Sequence, residues 1–252
     1  VFRELTDDRL KPAIAAGHSL GEYSALVAAK VLTFESALKL VQKRGELMGD
    51  YGEGEMSAFP LDLDTIRPIA EKHRCAVAGC NLPEQTVVGG RAEDLELVEQ
   101  EVLEQFARKR PVRLKTEGAF HTYYMEKAAE LFRPVLEDAS FGSAEARVLS
   151  NYTGGFHDAD AAKIREGLYY QLSNPVMWHA NLLTAFGDGV KMIFEFGGGI
   201  GSAETPDGKR PNLEGMIKRA TRAADYEAQY RSAINAPTVK ETADFVNNPE
   251  AG

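Results

Sequence analysis

Residues 17–21 read Gly-His-Ser-Leu-Gly, between a short apolar run, Ala13-Ile14-Ala15-Ala16, and an Ala/Leu-rich stretch from Glu22 to Lys30. A Gly-x-Ser-x-Gly segment between a strand and a helix is the arrangement of a nucleophile elbow. Steric crowding sets the spacing. A serine on a sharp strand-to-helix turn has strained backbone angles and close neighbours, so glycines two residues before and two after it relieve the crowding. Ser19 then stands at a helix N-terminus, where free N–H groups and the dipole favour a developing oxyanion. The feature predicts an α/β framework with a catalytic serine. The competing reading is an ordinary turn in which small residues flank a serine.

The rest of the chain fits that framework. Its 252 residues can bury a large core, as one mixed domain or one domain with an insertion. The first twelve residues are polar and read as helical or irregular. Thr33 is placed to cap a helix from Phe34 to about Met48, whose apolar stripe is Phe34, Ala37, Leu38, Val41 and Met48. Arg44 falls on the edge of that stripe, and an arginine on a buried edge needs an anionic partner, a carboxylate of the protein or of a ligand. After the break Gly49–Gly54, the spacing predicts a strand over Met56–Leu61, a helix over Asp64–His73 and a strand pair, Cys75–Gly79 with Gln85–Gly89. A long helix, Ala92–Lys109, and a strand, Pro111–Lys115, complete the order βαββαβ, the ferredoxin-like signature. Residues 51–120 therefore read as a subdomain inserted into a core made of 1–50 and 121–252. In that core follow a helix (Tyr124–Leu136), a strand (Arg147–Tyr152), helices ending at Gln171 and around Leu182, and a strand (Lys191–Phe196). A hydrophilic loop (Ser202–Pro211), a helix (Asn212–Ala220) and a polar tail that wraps the surface close the chain. Strands alternating with helices outside the insert imply a largely parallel sheet.

Composition removes several functions. A net charge of −9 without any basic stripe argues against nucleic-acid binding. No apolar run approaches a membrane span, and the first residues lack the build of a signal peptide, which points to the cytoplasm. Cys75 and Cys80 make no disulfide framework, and a lone C-x₄-C is poor support for zinc; both read as buried thiols in a reducing compartment, with no metal implied.

A serine nucleophile needs a base. His18 is inside the elbow and cannot readily fold back onto its neighbour's oxygen; it packs or hydrogen-bonds locally. His73 ends a subdomain helix, and His157 and His179 fall in a polar loop and at a helix start. His121 follows a glycine-containing turn at the junction of core and insert, where clefts form. It also follows the serine in the chain, as the base does in α/β-hydrolase-type enzymes. The alternative for His121 is a core or capping histidine. No acid stands out as its orienter; Asp158 and Asp160 read equally well as solvated loop residues.

Several segments carry a resemblance in order. Residues Gly17-His18-Ser19-Leu20-Gly21-Glu22-Tyr23-Ser24-Ala25 resemble the active-site segment of malonyl-CoA:acyl carrier protein transacylases, relatives of the acyltransferase domains of fatty-acid and polyketide synthases. Val41–Met48 resembles the family's arginine helix, Ala78–Gly90 its subdomain hairpin and Gly118–Thr122 its histidine motif; Gln171–Val176 and Gly215–Arg219 match further on. The resemblance implies an α/β-hydrolase-like core with an inserted ferredoxin-like subdomain. It implies Ser19 as acylated nucleophile, His121 as base, and Gln171 orienting the imidazole through its backbone carbonyl. Leu20 would lend its N–H to the oxyanion, Arg44 would pair with the free carboxylate of the acyl group, and Phe120 would crowd a substituent on its α-carbon. The partners implied are malonyl-CoA and an acyl carrier protein, in a ping-pong transfer by a monomer that uses no cofactor. An acyl hydrolase or thioesterase on the same scaffold is the nearest competitor, and an idle fragment or carrier-docking module a third reading.

Two departures accompany the resemblance. The family carries a Gly-Gln-Gly loop ahead of the elbow, whereas the eighteen residues before Ser19 hold none; the chain is expected to be a piece of a longer or split enzyme. Gly197-Gly198-Gly199 replaces the family's Gly-Pro-Gly.

Overall fold

The computed structural model describes residues 5–248. Of the polar segment 1–12, residues 1–4 lie outside the described residues, as do 249–252 of the tail; residues 6–8 are turn. The described chain forms two compact units, one of residues 13–184 and one of residues 185–248 with 5–12.

In the first unit, β1 (Ile14–Ala15) leads through the Ser19 turn into α1 (Gly21–Ala28). Next comes α2 (Phe34–Tyr51), capped by Thr33, whose side chain accepts from Ser36 N–H. Its buried face is Ala37, Leu40, Arg44, Leu47 and Met48, while Phe34 and Leu38 are 66% and 56% exposed. The expected stripe is therefore rotated, and Arg44 lies at the centre of the buried face rather than on its edge. Strand β2 (Glu55–Phe59), helix α3 (Leu63–Lys72), strands β3 (Ala76–Leu82) and β4 (Gln85–Gly90), helix α4 (Ala92–Gln105) and strand β5 (Val112–Arg113) follow. They form an antiparallel sheet in the order β3-β4-β2-β5. Numbered within the segment, that order is 2-3-1-4, the ferredoxin-like arrangement. Helix α4 stops short of Lys109 because Phe106 leaves the helical region (φ −132°, ψ 69°).

The unit continues with α5 (Glu126–Asp138), β6 (Arg147–Val148) and α6 (Ala161–Ser173), and it ends within α7 (Trp178–Gly187), at Thr184. Strand β6 pairs in parallel with β1. Leu26, Leu40, Phe132, Leu136, Leu168 and Leu172 are fully buried in one cluster that joins α1, α2, α5 and α6. Each such side chain contributes about 1.5–3 kcal/mol of burial. A second cluster, with Phe59, Ile66, Val88 and Val98, fills the ferredoxin-like sheet and its helices.

Two close approaches deliver the site. Gly89 lies so near the segment after Gly118 that a Cβ there would meet the Ala119 Cβ at 3.0 Å. At the sheet edge, Cys80 N–H donates to the Val176 carbonyl (2.8 Å) and Val176 N–H to that of Ala78 (3.0 Å).

In the second unit, β7 (Met192–Phe196) pairs in parallel with β8 (Gln229–Ala233), and α8 (Glu214–Ala223) and α9 (Ala236–Asn247) complete it. The tail beyond Ala223 thus forms a strand and a helix instead of a surface wrap. The physical reason is a capping box in which Asn235 and Thr238 bond reciprocally, with proline in the first turn. Outside the antiparallel sheet, both named strand pairs are parallel.

The two glycines of the elbow are not equivalent. A Cβ on Gly17 would overlap the Gly21 carbonyl, whereas one on Gly21 meets nothing within 4 Å. The expectation that both relieve crowding holds for Gly17 alone. Gly17→Ala should cost about 1–3 kcal/mol, the range of overpacked sites. Gly21→Ala should be neutral or stabilise by up to about 1 kcal/mol through helix propensity. Urea unfolding of both variants checks this, and equal losses would contradict it.

Candidate active site

Ser19 has a left-handed backbone, φ +53°, which costs a non-glycine residue about 1–3 kcal/mol. Three contacts hold it. Asn151 Oδ1 accepts from Ser19 N–H at 2.6 Å, Asn151 Nδ2 donates to the Gly17 carbonyl at 2.9 Å, and Gln171 Nε2 donates to the Ser19 carbonyl at 2.9 Å. The turn then feeds α1, where Gly21 N–H bonds the His18 carbonyl and Glu22 N–H that of Ser19. Among the described residues the Leu20 N–H has no hydrogen-bond partner, and the residue is 49% exposed.

Ser19 Oγ lies 2.7 Å from His121 Nε2, and His121 Nδ1 lies 2.7 Å from the Gln171 carbonyl. A carbonyl only accepts, so Nδ1 carries the proton, Nε2 presents its lone pair, and the Ser19 hydroxyl donates to it. His121 is itself left-handed, φ +62°, and buried. Burial pushes its imidazole down from 6.5 to about 3; the charge of Arg44 acts in the same direction, and the Gln171 carbonyl opposes both.

Arg44, 4% exposed, donates through Nη2 to Ser19 Oγ (3.1 Å) and to Gln171 Oε1 (3.2 Å). Its Nε–H is buried without a partner. Burial lowers its guanidinium from the ordinary value, opposed by Tyr23 and Glu22. Among the described residues it forms no ion pair. Of the two anionic partners left open above, a carboxylate of the protein is not bound to it.

The other candidates fall as follows. Phe120 is half-buried, packed against both the core cluster and a smaller one of Met56, Ala78 and Val87. His18 is half-buried, with Nε2 2.8 Å from Asn81 Oδ1 across the chain and its ring edge-on to Trp178, so its bonding is not local. Burial lowers its pKa. His73 bonds Glu101 (2.6 Å), Asp160 caps α6 through Ala162 N–H, and Asp158 accepts from Asp160 N–H. Cys75 and Cys80 are free and buried, pushed up to about 12 and about 11 by burial. Among the described residues no three His, Cys, Asp or Glu side chains gather as a metal site.

Over residues 7–195 the chain matches the acyl transferase domain family. It belongs to that family. A malonyl CoA-acyl carrier protein transacylase of Bacillus subtilis (strain 168) is 32% identical over 231 residues, covering 88% of this chain and 69% of that protein. The fold is similar to the crystal structure of a malonyl-CoA:acyl carrier protein transacylase from Xanthomonas oryzae pv. oryzae (TM-score 0.82, 28% identity, 96% of this chain and 75% of that one). A malonyl-transacylase solved with a type II polyketide-synthase acyl carrier protein gives a TM-score of 0.82 at 27% identity, over 96% and 76% of the two chains.

Within this acyl transferase, four polar residues around the elbow escaped the reading of the sequence: Glu22, Asn151, His157 and Asn181. Glu22 is fully buried; it accepts from Asn151 N–H (3.2 Å), Gln171 Nε2 (3.0 Å) and His157 Nε2 (2.6 Å). Asn181 Oδ1 accepts from Asn151 Nδ2 at 3.1 Å. His157 does lie in a loop, but its side chain is only 5% exposed. One signal was available for Glu22, a charge in the first turn of a helix apolar on nearly every side.

The depressed His121 fixes a pH expectation. Labelling of Ser19 by a neutral fluorophosphonate should stay level as pH falls through about 6.5 and decline only below about pH 5, because the base remains neutral. Replacing Arg44 by alanine removes one cause of the depression, so the acid limb should move to higher pH. Folding stability carries the matching sign: with the folded pKa below the unfolded one, this contribution is complete above about 6.5 and is lost as pH falls toward about 3. An acid limb centred near 6.5 in the unaltered enzyme would contradict the assignment.

Proposed function

We propose that the chain is a malonyl-CoA:acyl carrier protein transacylase, moving a malonyl group to the phosphopantetheine thiol of a carrier through a malonyl-serine ester. The observation that carries this reading is Arg44: a buried cation, unpaired, with one N–H on Ser19 Oγ and another unused. A planar guanidinium matches a carboxylate fork. A neutral acyl group would leave it unpaired. The names of the relatives point the same way.

In the first half-reaction, Ser19 Oγ attacks the thioester carbon while His121 Nε2 takes the hydroxyl proton. The carbonyl electrons move to oxygen, where the Leu20 N–H is the free donor. The C–S bond then breaks, the imidazolium returns its proton to the CoA sulfur, and the malonyl ester remains on Ser19. In the second half the carrier thiol gives its proton to His121, sulfur attacks the ester carbon, and the C–O bond breaks with Ser19 reprotonated. Gln171 holds Nδ1–H throughout and stabilises the imidazolium through its carbonyl. Phe120 crowds a substituent on the malonyl α-carbon.

The same reading makes the enzyme a cytoplasmic monomer without metal or cofactor, binding neither nucleic acid nor membrane. Its net charge of −9 and its unpaired thiols fit this, and no described helix is long and apolar enough to cross a membrane. Residues 51–120 act as a subdomain inserted in a catalytic core of 1–50 and 121–252.

Intact mass after mixing with malonyl-CoA should show one malonyl adduct, absent from Ser19→Ala; turnover without an adduct would indicate a hydrolase, and a labelled alanine variant would displace the nucleophile. His121→Ala should slow acylation by roughly 10²–10⁴-fold. Arg44→Ala should lose about 2–5 kcal/mol in kcat/KM for malonyl-CoA, since the substrate carboxylate is left unpaired. Acetyl-CoA has none to leave, so its kcat/KM should hold or rise. A parallel fall for both thioesters, with a lower melting temperature, would sink the carboxylate clamp.

A further inference from the structure

Gln171 has to present a particular face. Its Oε1 accepts from Arg44, while its Nε2 donates to the Ser19 carbonyl and to Glu22 Oε2. With the amide reversed, its NH₂ would meet the guanidinium donor to donor. Glu22 forbids that reversal, because a carboxylate accepts and cannot donate. Glu22 is in turn held by His157, whose Nε2 lies 2.6 Å from Oε1.

His157 is built into its place. Its N–H donates to the Val148 carbonyl on β6 at 2.8 Å. Its ring lies over Gly167 of α6, where a Cβ would meet ring Cε1 at 3.2 Å and Nδ1 at 3.4 Å. Gly167 is one helical turn before Gln171, so one face of α6 both receives the ring and carries the amide. The ring also lines a cavity of about 590 Å³ with Ser150, Tyr152, Phe156 and Tyr170, a space that neither Ser19 nor His121 lines.

We infer that His157, acting through Glu22, is a positioning residue of acyl transfer: it fixes the Gln171 amide and so aims Arg44 at the carboxylate of the acyl group. For the identity of the acyl donor the inference rests on the malonyl-transfer reading; for the geometry it does not. The chain His157–Glu22–Gln171–Arg44 runs from this cavity to the nucleophile without a break. Since the hydrogen bond from His121 Nδ1–H to the Gln171 backbone carbonyl does not pass through Glu22, carboxylate selectivity should suffer more than the base.

The test compares His157→Leu, which removes the donor, with His157→Gln, whose amide N–H can still reach Glu22. Two ratios are read per mole of labelled Ser19: kcat/KM for malonyl-CoA over acetyl-CoA, and Ser19 labelling by a carboxylated over a neutral fluorophosphonate. Misplacing a clamp by a fraction of an ångström should lower both ratios by roughly 10–100-fold in His157→Leu. His157→Gln should restore them to within about threefold. Should the leucine variant not fold, Gly167→Ala presses directly on the ring and should lower both ratios by at least about threefold. A fall in melting temperature with both ratios unchanged, in whichever variant folds, would overturn the inference and leave His157 a structural residue. If the unaltered enzyme prefers the carboxylated probe but does not turn over malonyl-CoA, the substrate reading fails. The probe ratio then still decides the role of His157.

Discussion

A guanidinium buried without a carboxylate opposite it is the condition around which the first unit is arranged. Moving such a charge out of water costs several kcal/mol even after relaxation, and an ion pair is the usual compensation. Arg44 has less than that. It has a serine oxygen, an amide oxygen, the ring of Tyr23 at 5.8 Å, and the field of Glu22 one amide away. Hydrogen bonds to a charged group return about 1.5–3 kcal/mol each, enough to keep the cation in place and short of satisfying it. Glu22, which could have closed an ion pair, is held back by Asn151, Gln171 and His157. Two buried opposite charges separated by an amide keep the site electrically balanced while leaving the cation free for an outside anion.

The same cluster stabilises two backbone strains. Ser19 and His121 both have left-handed φ, each costing about 1–3 kcal/mol, and their side chains meet at 2.7 Å. Neither turn is held by its own sequence alone. The Ser19 turn depends on the near absence of space at Gly17 and on Asn151, which comes 132 residues later. The His121 turn depends on Ala119 lying tightly on β4 at Gly89 and on the end of α6 at Gln171. Residues far apart in sequence therefore share one geometry, and the packing of α1, α2, α5 and α6 against each other supplies its rigidity.

Local signals in the sequence were legible, and the pairings between distant residues were not. The elbow, the Thr33 cap and the βαββαβ order each rest on neighbours within a few residues, and each corresponds to an observed element. The stripe of α2 is misphased because helical spacing from Phe34 picks up Leu38 and Val41, whereas the apolar Leu40 and Leu47 fall into line only when Arg44 is counted with them on the buried face. His157 reads as a polar-loop residue followed by Asp158 and Asp160, yet its partner Glu22 is 135 residues away. Asn151 escaped for the same reason. The tail's strand and helix escaped because β8 is polar and only partly buried, although the Asn235–Thr238 capping box was written in the sequence.

On the proposed reading, the arrangement also couples the strength of the base to the substrate. Burial is the main reason that His121 is a weak base at rest, and the unneutralised charge of Arg44 is the next. A carboxylate bound to Arg44 removes the second effect, so the imidazole becomes a better proton acceptor when the acidic acyl group is in place. A neutral acyl group leaves it depressed. The malonyl group stays on Ser19 after CoA has left, so the carboxylate stays on Arg44 and the base stays strengthened for the incoming carrier thiol. The guanidinium that selects the substrate would then also time the proton transfer. This follows from its placement beside both Ser19 Oγ and His121, and a hydrogen-bonded clamp placed farther along the acyl chain would select without timing.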